Sequence, residues 1–465
     1  MQRKYIILLV FSTILFSGCK SLYGEYERPE VNTKGIVRDM PLMDDSLYLN
    51  TADTASIGTL PWRSVFTDPH LQALIEKALE NNPNLLNAAL NTQMAEAQLK
   101  AAKLAFVPTF QFAPTGTIAS WDGGKASKTY SLPISASWTA DLFGNLLSKK
   151  RSAQAALLAT KDYQVVVQTQ LISNIANLYY SLLMLDAQLD VVKDMEELTQ
   201  NTFELMKVLK DTRVGYRSTS VQSAESNYYS VQAQRIDLLR QIREAENSLS
   251  LLVGQPAQSI PRGKLEDQYL PSDLATGVSI QLLNARADVH YYEMELAQCF
   301  YDVETARSRF YPSITISPSG TFTNSYGAIV NPGKWLLSAV GSLVQPIFMN
   351  GQLTAALRVA EAQYQQAYNN WQNSILTAGS EVSNALVQYN SSTEKAAIEE
   401  KQIEVLRQNV EDTKTLLGTA SGSTYLEVIT AQQTLLNAEL SKIADDFSKM
   451  QAVVSLYQAL GGGAK

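Results

Sequence analysis

The chain has 465 residues, of which 45% are hydrophobic and 18% are charged. This ordinary composition excludes an intrinsically disordered chain and a bundle of transmembrane helices. The formal net charge of −7 argues against a nucleic-acid partner, because binding to nucleic acid needs a basic surface.

The first 18 residues have the pattern of a secretory signal peptide. Arg3 and Lys4 supply a positive start, and residues 5–16 form an apolar run. A run of this length suits a signal peptide and is too short for a spanning helix. Together with the cysteine motif that follows it, this pattern predicts a lipoprotein signal peptide over residues 1–18.

The apolar run ends in a motif that resembles a bacterial lipobox, in which a cysteine after small residues receives lipid. The motif is Phe16-Ser17-Gly18-Cys19, with Phe16 where Leu is usual. Lys20, rather than Asp, follows the cysteine, which in the enterobacterial sorting rule favours delivery to the outer membrane. The prediction is lipidation at Cys19; the alternative is an ordinary signal peptide with a chance cysteine.

The rest of the chain contains an internal repeat. Residues 82–108 match 286–312 in kind at a constant offset of 204. Later landmarks match at an offset of 207, among them Gly144 with Gly351 and Gly254 with Gly461. Such a constant offset predicts a duplication, with one strand-pair and long-helix repeat over residues 61–260 and a second over 261–465.

A predicted strand pair precedes the long helix of each repeat. Residues 130–139 and 313–323 alternate between apolar and small polar side chains, with partners expected in 106–116 and 335–348. Ten-residue segments of this kind are typical of a transmembrane β-barrel with a wet lumen. A soluble, half-buried sheet alternates in the same way, so the pattern alone leaves both readings open.

Long helices follow each strand pair. The 70 residues between Gly144 and Gly215 contain no Gly or Pro, and the 66 between Gly351 and Gly418 contain only Gly379. Two later runs, 216–253 and 423–460, contain neither residue. These Ala-, Gln- and Leu-rich runs predict helices, the longest reaching roughly 100 Å if continuous.

Four strands per chain cannot close a barrel, because single-chain bacterial barrels begin at eight strands. An open sheet edge in lipid leaves backbone groups unpaired at a cost of several kcal/mol each. If the strands span a membrane, the chain must therefore oligomerise, and three copies give twelve strands. The long helices have polar faces, which suit a tube whose wall consists of helices packed side by side around a water-filled interior.

From about residue 60 onwards the chain carries a series of short motifs. They are Pro61-Trp62, Phe66-Thr67-Asp68-Pro69, Leu71-Gln72-Ala73-Leu74-Ile75, Ala78-Leu79-Glu80-Asn81-Asn82-Pro83, Leu251-Leu252-Val253-Gly254, Phe310-Tyr311-Pro312-Ser313-Ile314, Gln345-Pro346-Ile347-Phe348 and Tyr425-Leu426-Glu427-Val428-Ile429-Thr430-Ala431-Gln432-Gln433. With them the chain resembles the TolC-like outer-membrane factor family, in the lipoprotein branch that serves resistance-nodulation-division (RND) efflux pumps. It departs from the family at Ala287, where an Arg-Pro-Asp motif is usual, and in 213–222, which lacks an Asp usual after the turn.

This resemblance implies a mainly α protein with a membrane β part: a homotrimer whose twelve-stranded outer-membrane barrel, four strands from each chain, continues as a long periplasmic α-helical barrel. It implies a lipidated, extended tail over residues 19–60 and anchoring at the periplasmic leaflet of the outer membrane. The implied partners are outer-membrane lipid, a periplasmic adaptor (membrane fusion protein) and an inner-membrane RND transporter. No enzyme activity and no cofactor are expected.

The family's gate maps onto two helix turns of this chain, 211–220 and 418–425. The candidate gate and adaptor-contact residues are Lys210, Asp211, Arg213, Tyr216, Arg217, Tyr425 and Glu427. The hypothesis is a latch of charge pairs and tyrosine hydrogen bonds, repeated by three-fold symmetry and weak enough for an adaptor to open. The alternative is an ordinary solvated helix end.

The expected function is a passive conduit that exports small toxic molecules or drugs from an RND pump. An exit duct for ABC-type (type I) protein secretion is the alternative within the channel class. A periplasmic adaptor has one helical hairpin between lipoyl-like segments, which two strand-and-helix copies argue against. The sequence shows no arrangement of nucleophile and base, which argues against a lipid-anchored hydrolase. His70 and His290 lie too far apart in sequence to predict a metal site.

Overall fold

The computed structural model describes residues 24–30, 60–120, 122–212, 217–269, 286–324, 334–417 and 424–463. The chain divides into two compact units. The sheet unit holds the described residues of 1–31, 89–162 and 290–374, and the helical unit holds those of 32–88, 163–289 and 375–465. The predicted lipidation site, Cys19, lies outside the described residues.

The elements follow one another in the same order in each half of the chain. In the first half they are helices α1 Trp62–Val65, α2 Pro69–Asn81 and α3 Pro83–Leu104, strands β1 Thr109–Phe112, β2 Thr115–Ala119 and β3 Ser127–Ala140, and helices α4 Asn145–Thr212 and α5 Ser218–Leu252. In the second half they are helix α6 Ala287–Ser308, strands β4 Ser313–Thr323 and β5 Lys334–Val344, and helices α7 Gln352–Leu416 and α8 Tyr425–Ala459. A short 3₁₀ turn, Leu265–Asp267, lies between the halves.

The long runs predicted as helix are helical throughout. Helix α4 has 68 residues and α7 has 65, and α7 continues through Gly379, because one glycine costs only about 1 kcal/mol in a helix. The first turn of α4 is capped by Asp141, whose carboxylate accepts from the backbone N–H groups of Leu146 (3.1 Å) and Leu147 (2.8 Å). No helix in the described ranges combines the length and the apolar character needed to cross a membrane.

The antiparallel sheet has four strand positions. Strand β3 pairs with both β1 and β2 on one side and with β4 on the other, and β4 pairs with β5. The first predicted strand, 106–116, is therefore split into β1 and β2 around Pro114, which has no N–H to donate. Within the described chain β5 and the β1–β2 position are the two outer strands, so each has one edge without a strand partner.

The register places side chains of opposite character on the two faces of the sheet. Paired residues share a face, as Leu132 does with Phe322 and Ser319 with Ser338. The apolar face carries Phe110, Phe112, Leu132, Ile134, Trp138, Ile314, Ile316, Phe322, Trp335, Leu337 and Leu343. The hydroxyl face carries Thr109, Ser131, Ser135, Ser137, Thr139, Ser313, Thr315, Ser317, Ser319, Thr321, Thr323, Ser338 and Ser342.

The alternation predicted for 313–323 is therefore confirmed. Strand β5 departs from this alternation, because Leu336, Val340 and Val344 lie on the hydroxyl face beside Ser338 and Ser342. Many apolar-face side chains are left exposed by the described residues: Leu337 is 80% exposed and Phe110 is 76% exposed.

In the helical unit, equivalent residues of the two halves close equivalent helix ends. The Asn82 side-chain amide donates to the Leu252 carbonyl (2.9 Å), and the Arg286 guanidinium donates to the Ala459 carbonyl (2.8 Å). Leu252 and Ala459 end α5 and α8, where carbonyls lack a partner within the helix. The residue numbers of the two donors differ by 204 and those of the two acceptors by 207, which are the offsets of the repeat found in the sequence.

A glycine follows each of these helix ends with positive φ, Gly254 at +74° and Gly461 at +79°. A Cβ on Gly254 would lie 2.9 Å from the Asn81 carbonyl oxygen, so both the conformation and the close packing require glycine. Arg286 also binds Asp288 and Glu381 through its guanidinium. The family departure at Ala287 therefore leaves the Arg–Asp pair intact.

Candidate functional site at the helix turns

The two predicted gate turns belong to the helical unit, and the four helix ends beside them pack together. Helices α4 and α7 end at Thr212 and Leu416, and α5 and α8 begin at Ser218 and Tyr425. Their apolar side chains form one buried group, called the tip cluster: Phe203, Met206, Leu209, Ala224, Leu417 and Val428, with Val221, Tyr228 and Tyr425 packed against it. Burial of each large side chain contributes about 1.5–3 kcal/mol, so apolar packing is what fastens the four ends together.

The charged candidates on the first turn lie on the surface. Lys210, Asp211 and Arg217 are exposed, and none of them forms an ion pair with another residue of the described chain. Arg213 and Tyr216 lie outside the described residues. The charged part of the latch stays a prediction.

Glu427, on the second turn, takes part in a local cap. Its carboxylate accepts from the Thr424 backbone N–H (2.7 Å), and the Thr424 hydroxyl accepts from the Glu427 N–H (3.4 Å). This reciprocal capping box starts α8 and places a negative charge at the positive end of the helix. The Thr-x-x-Glu spacing at 424–427 is a helix-start signal in the sequence itself.

Tyr425 is half-buried against the tip cluster. Its hydroxyl is inaccessible to solvent and has no hydrogen-bond partner in the described part of the chain, and burial raises the pKa of this phenol. A buried hydroxyl without a partner costs about 1–3 kcal/mol. The next side chain, Leu426, is 72% exposed. The second turn thus presents an apolar surface beside a hydroxyl that would gain from a new partner.

Two neighbouring glutamines tie α8 to the other helices above the turns. Gln432 is 1% exposed and donates to the Thr202 hydroxyl of α4 at 2.9 Å. Gln433 donates to the Asn227 side chain of α5 at 3.1 Å. Both residues belong to the motif at 425–433, but sequence alone could not assign partners about 200 residues away.

An apolar stripe runs along α7 and is left exposed by the described residues of the chain. Leu376, Val387 and Ile398 recur every eleven residues and are 57–67% exposed. Val405 (69%) and Leu416 (46%) continue the series after a step of seven and a step of eleven. An eleven-residue period keeps a stripe nearly straight on an α-helix, as a wall-to-wall contact requires. The side chains of the stripe stand singly, up to about 16 Å apart along the helix, a spacing that suits periodic contacts with a neighbouring helix.

No group of three or more His, Cys, Asp or Glu side chains able to hold a metal ion occurs among the described residues. His70 is exposed at the start of α2, and its N–H donates to the capping Asp68 carboxylate (2.8 Å). His290 lies in the sheet unit, where Nδ1 is 2.6 Å from an Asp162 carboxylate oxygen. The contact of His70 is made by its backbone N–H, whereas the imidazole of His290 has a carboxylate partner.

The family model described as outer membrane efflux protein matches residues 74–255 and 278–462. The cation efflux system protein CusC of Escherichia coli K12 is 27% identical over 471 residues, which covers 98% of this chain and 99% of CusC. The probable outer membrane lipoprotein SilC of Salmonella typhimurium is 26% identical and covers 98% of both chains. A crystal structure of CusC, from a study of folding and transmembrane channel formation, superposes with a TM-score of 0.80 at 25% identity over 94% of this chain and 99% of that one.

Proposed function

Because the chain belongs to the outer membrane efflux protein family, we propose that it is the outer-membrane channel of a tripartite efflux system. The family consists of passive efflux channels, so the chain is not an enzyme. In this proposal small toxic molecules enter the channel from an inner-membrane RND pump, through a periplasmic adaptor, and leave at the cell exterior. An exit duct for ABC-type protein secretion remains the second candidate.

The observation that carries the proposal is the two-faced sheet. Its exposed apolar face suits lipid, and its hydroxyl face suits a water-filled lumen. Aromatic rings lie at both ends of the strands. Tyr130, Phe322 and Trp335 form one group, with centroids 5.9 and 5.6 Å apart, and Phe143 stacks on Tyr311 at 5.1 Å at the other end.

We call the first group the outer belt and the second the inner belt. The eleven residues of β4 between them rise about 36 Å along the strand, or about 25 Å along the membrane normal at a tilt of about 45°. Outer-membrane barrels have an apolar band of about this height between aromatic girdles.

The proposal requires a homotrimer. Four strand positions with two unpaired outer edges cannot stand alone in lipid, and three copies supply twelve strands. The exposed stripe of α7 gives the helical unit a matching surface for a second copy. We also propose that the repeats at 61–260 and 261–465 arose by duplication, supported by the recurring order of elements and the equivalent helix-end contacts.

Outer-membrane fractionation with heat-modifiable migration on a gel tests the assembly. A channel gives an outer-membrane protein that runs as a trimer until it is boiled. A periplasmic adaptor, or a monomer that is soluble once the lipid is removed, contradicts the proposal. Adjacent genes for an adaptor and an RND transporter support efflux, whereas an adjacent ABC exporter supports protein secretion.

Lipid anchoring at Cys19 is part of the proposal and is supported by the lipobox and by the similarity, along nearly the whole chain, to SilC, a probable outer membrane lipoprotein. Metabolic labelling with palmitate tests it. Labelling should disappear in Cys19→Ala and persist in Cys299→Ala, the other cysteine of the chain. Equal labelling of both variants contradicts it.

The gate latch is proposed at the tip, and single-channel conductance in planar bilayers tests it. Arg213→Ala and Glu427→Ala should raise conductance if charge pairs hold the turns closed. Because Glu427 also caps α8, Glu427→Gln keeps the capping box and removes only the charge, whereas Thr424→Ala weakens the cap and keeps the charge. A rise in Glu427→Gln without a rise in Thr424→Ala supports the latch. Unchanged conductance in Arg213→Ala and in both Glu427 variants refutes it.

A further inference from the structure

Four stretches of the sheet unit connect a helix to a strand, and we call them the junctions. They are residues 98–108 between α3 and β1, 141–151 between β3 and α4, 302–312 between α6 and β4, and 345–358 between β5 and α7. Together they contain eight Lys or Arg and three Asp or Glu, a formal charge of +5 in a chain whose net charge is −7. The junctions therefore concentrate positive charge in a chain that is acidic as a whole.

Side-chain contacts join the junctions into one band. The Asn145 amide donates to the Ser308 hydroxyl (2.7 Å), which ties the second junction to the third. The Gln345 amide donates to the Phe310 carbonyl (3.0 Å), which ties the third junction to the fourth. The first junction leads into β1, which begins opposite the end of β3. All four junctions therefore lie at the same end of the sheet, at the level of the inner belt.

At each junction, apolar or aromatic side chains lie next to the strand, and basic side chains follow on the helix side. Val107, Leu142, Tyr311 and Ile347 are exposed, the last of them by 96%. Beyond these residues lie six basic side chains that form no ion pair with another residue of the described chain, and we call them the basic collar: Lys100, Lys103, Lys149, Lys150, Arg309 and Arg358. A surface that changes from apolar to basic within about two helical turns matches the change from hydrocarbon to phosphate at the edge of a bilayer.

A pocket of about 340 Å³ between the junctions combines both kinds of surface. Leu142, Phe143, Arg309 and Tyr311 are among the residues that line it. Asp141 lines it as well, but its carboxylate is engaged by the backbone N–H groups at the start of α4. The pocket therefore sets a cation beside apolar walls, as a phospholipid headgroup and the first carbons of its acyl chains require.

We propose that the basic collar binds the headgroups of anionic phospholipids, of the phosphatidylglycerol type, in the leaflet that the sheet meets on its helix side. The inference rests on the proposed channel, in which the helices leave the sheet on the periplasmic side, and it adds the class of lipid that surrounds the channel there. Every phospholipid has a phosphate, but a zwitterionic headgroup brings its own cation, which competes with Lys and Arg. A Lys or Arg at the surface of the bilayer therefore favours an anionic headgroup by roughly fivefold.

Trp138 is a natural reporter for lipid at this level. It lies on the apolar face of β3, and its indole N–H donates to the Phe106 carbonyl of the first junction (3.0 Å). In the full-length protein with Trp121→Phe and Trp335→Phe, the two other remaining tryptophans are almost fully buried. A quencher carried on lipid acyl chains therefore reports on Trp138 alone.

Quenching by brominated lipid tests the collar in this protein, reconstituted in vesicles of phosphatidylcholine with about one fifth phosphatidylglycerol. One set of vesicles carries bromine on the acyl chains of the phosphatidylglycerol, and the other carries it on an equal share of the phosphatidylcholine. At low salt, brominated phosphatidylglycerol should quench Trp138 as if it were roughly fivefold enriched there. In about 1 M NaCl the screening length falls to about 3 Å, and the enrichment should fall below about twofold.

Two matched triple variants place the effect on the protein. The test variant replaces basic residues of the two junctions beside the end of β3: Lys100→Gln, Lys103→Gln and Arg309→Gln. The control variant replaces three lysines at the opposite end of the sheet: Lys125→Gln, Lys128→Gln and Lys334→Gln. The enrichment should fall below about twofold in the test variant. It should stay unchanged in the control variant, because about 35 Å of β3 separates that end from Trp138.

Equal quenching by the two lipids at low salt, or an enrichment that survives in the test variant or falls equally in both variants, overturns the collar. A collar that faces the water-filled tunnel would give equal quenching, together with a loss of anion preference in channel recordings of the test variant, and this too overturns the proposal. Brominated phosphatidylcholine should quench Trp138 in every variant, which verifies that the sheet is inserted. No quenching by either lipid would instead contradict insertion of the sheet, and with it the channel itself.

Discussion

Arg286 is the residue whose loss we expect to weaken the helical unit most clearly. It is 4% exposed and donates to the Ala459 carbonyl (2.8 Å), to Asp288 (2.6 and 2.9 Å) and to Glu381 (2.7 Å). Removing one partner of a buried ion pair costs about 3–5 kcal/mol. Asp288 and Glu381 keep 34% and 45% of their surface exposed and can be rehydrated, so we expect the lower end of that range for Arg286→Ala.

Hydrogen exchange of peptides covering residues 450–463 measures this loss locally. About 3 kcal/mol corresponds to roughly a hundredfold faster exchange where opening of the α8 end governs exchange. Arg63→Ala is the matched control, because its pair with Glu76 is 58% and 50% exposed and is worth at most about 1 kcal/mol. Two results would refute the reasoning. One is exchange in Arg286→Ala that is less than threefold faster than in the unchanged protein, and the other is exchange in Arg63→Ala that is accelerated as much as in Arg286→Ala.

Three further predictions concern packing, pH and assembly. Gly462→Ala places a Cβ 2.4 Å from the ring of the fully buried Tyr457. Thermal melts should therefore show a free energy of unfolding lower by about 1–3 kcal/mol. The control is Gly341→Ala, whose Cβ would meet no packed atom within 4 Å and should cause no strain. The hydrogen bond to Asp162 raises the pKa of His290, whose charged neighbours are Asp162 on α4, Glu293 on α6 and Arg28. The contribution of this pair to the stability of the fold should therefore be full below pH 6.5 and be lost as the pH rises through the raised pKa. Thermal melts of Asp162→Asn should show no such loss. Ile398→Asp in the exposed α7 stripe should shift the protein from trimer to monomer in sedimentation, and Thr393→Asp, at an exposed position on another face of α7, should not; a trimer in both variants contradicts the proposed contact.

The sequence was sufficient for the long helices and for β4, because these features are local. A run without Gly or Pro and an alternation with period two each express one physical constraint at neighbouring positions. Strand β5 was harder, since Leu336, Val340 and Val344 place apolar side chains on the hydroxyl face. Pro114 marks the break between β1 and β2, whereas the sequence pattern predicts one strand over 106–116.

The candidate site was less predictable because it depends on contacts between distant parts of the chain. The family resemblance located the two turns, but nothing local shows that Leu417 and Val428 pack with Phe203 and Met206. The Glu427 cap could have been found from its spacing to Thr424. The Arg286 contact with Ala459 joins residues 173 positions apart and follows only from the fold.

The most direct test of the channel is a thiol scan of two neighbouring residues of β5 during single-channel recording. In a Cys299→Ser background, Ser338→Cys places a thiol on the hydroxyl face and Leu337→Cys places one on the apolar face. A charged, membrane-impermeant thiol reagent should reduce the current through Ser338→Cys channels and leave Leu337→Cys channels unchanged. A protein that forms no conducting pore, or that responds at Leu337→Cys but not at Ser338→Cys, would contradict the account.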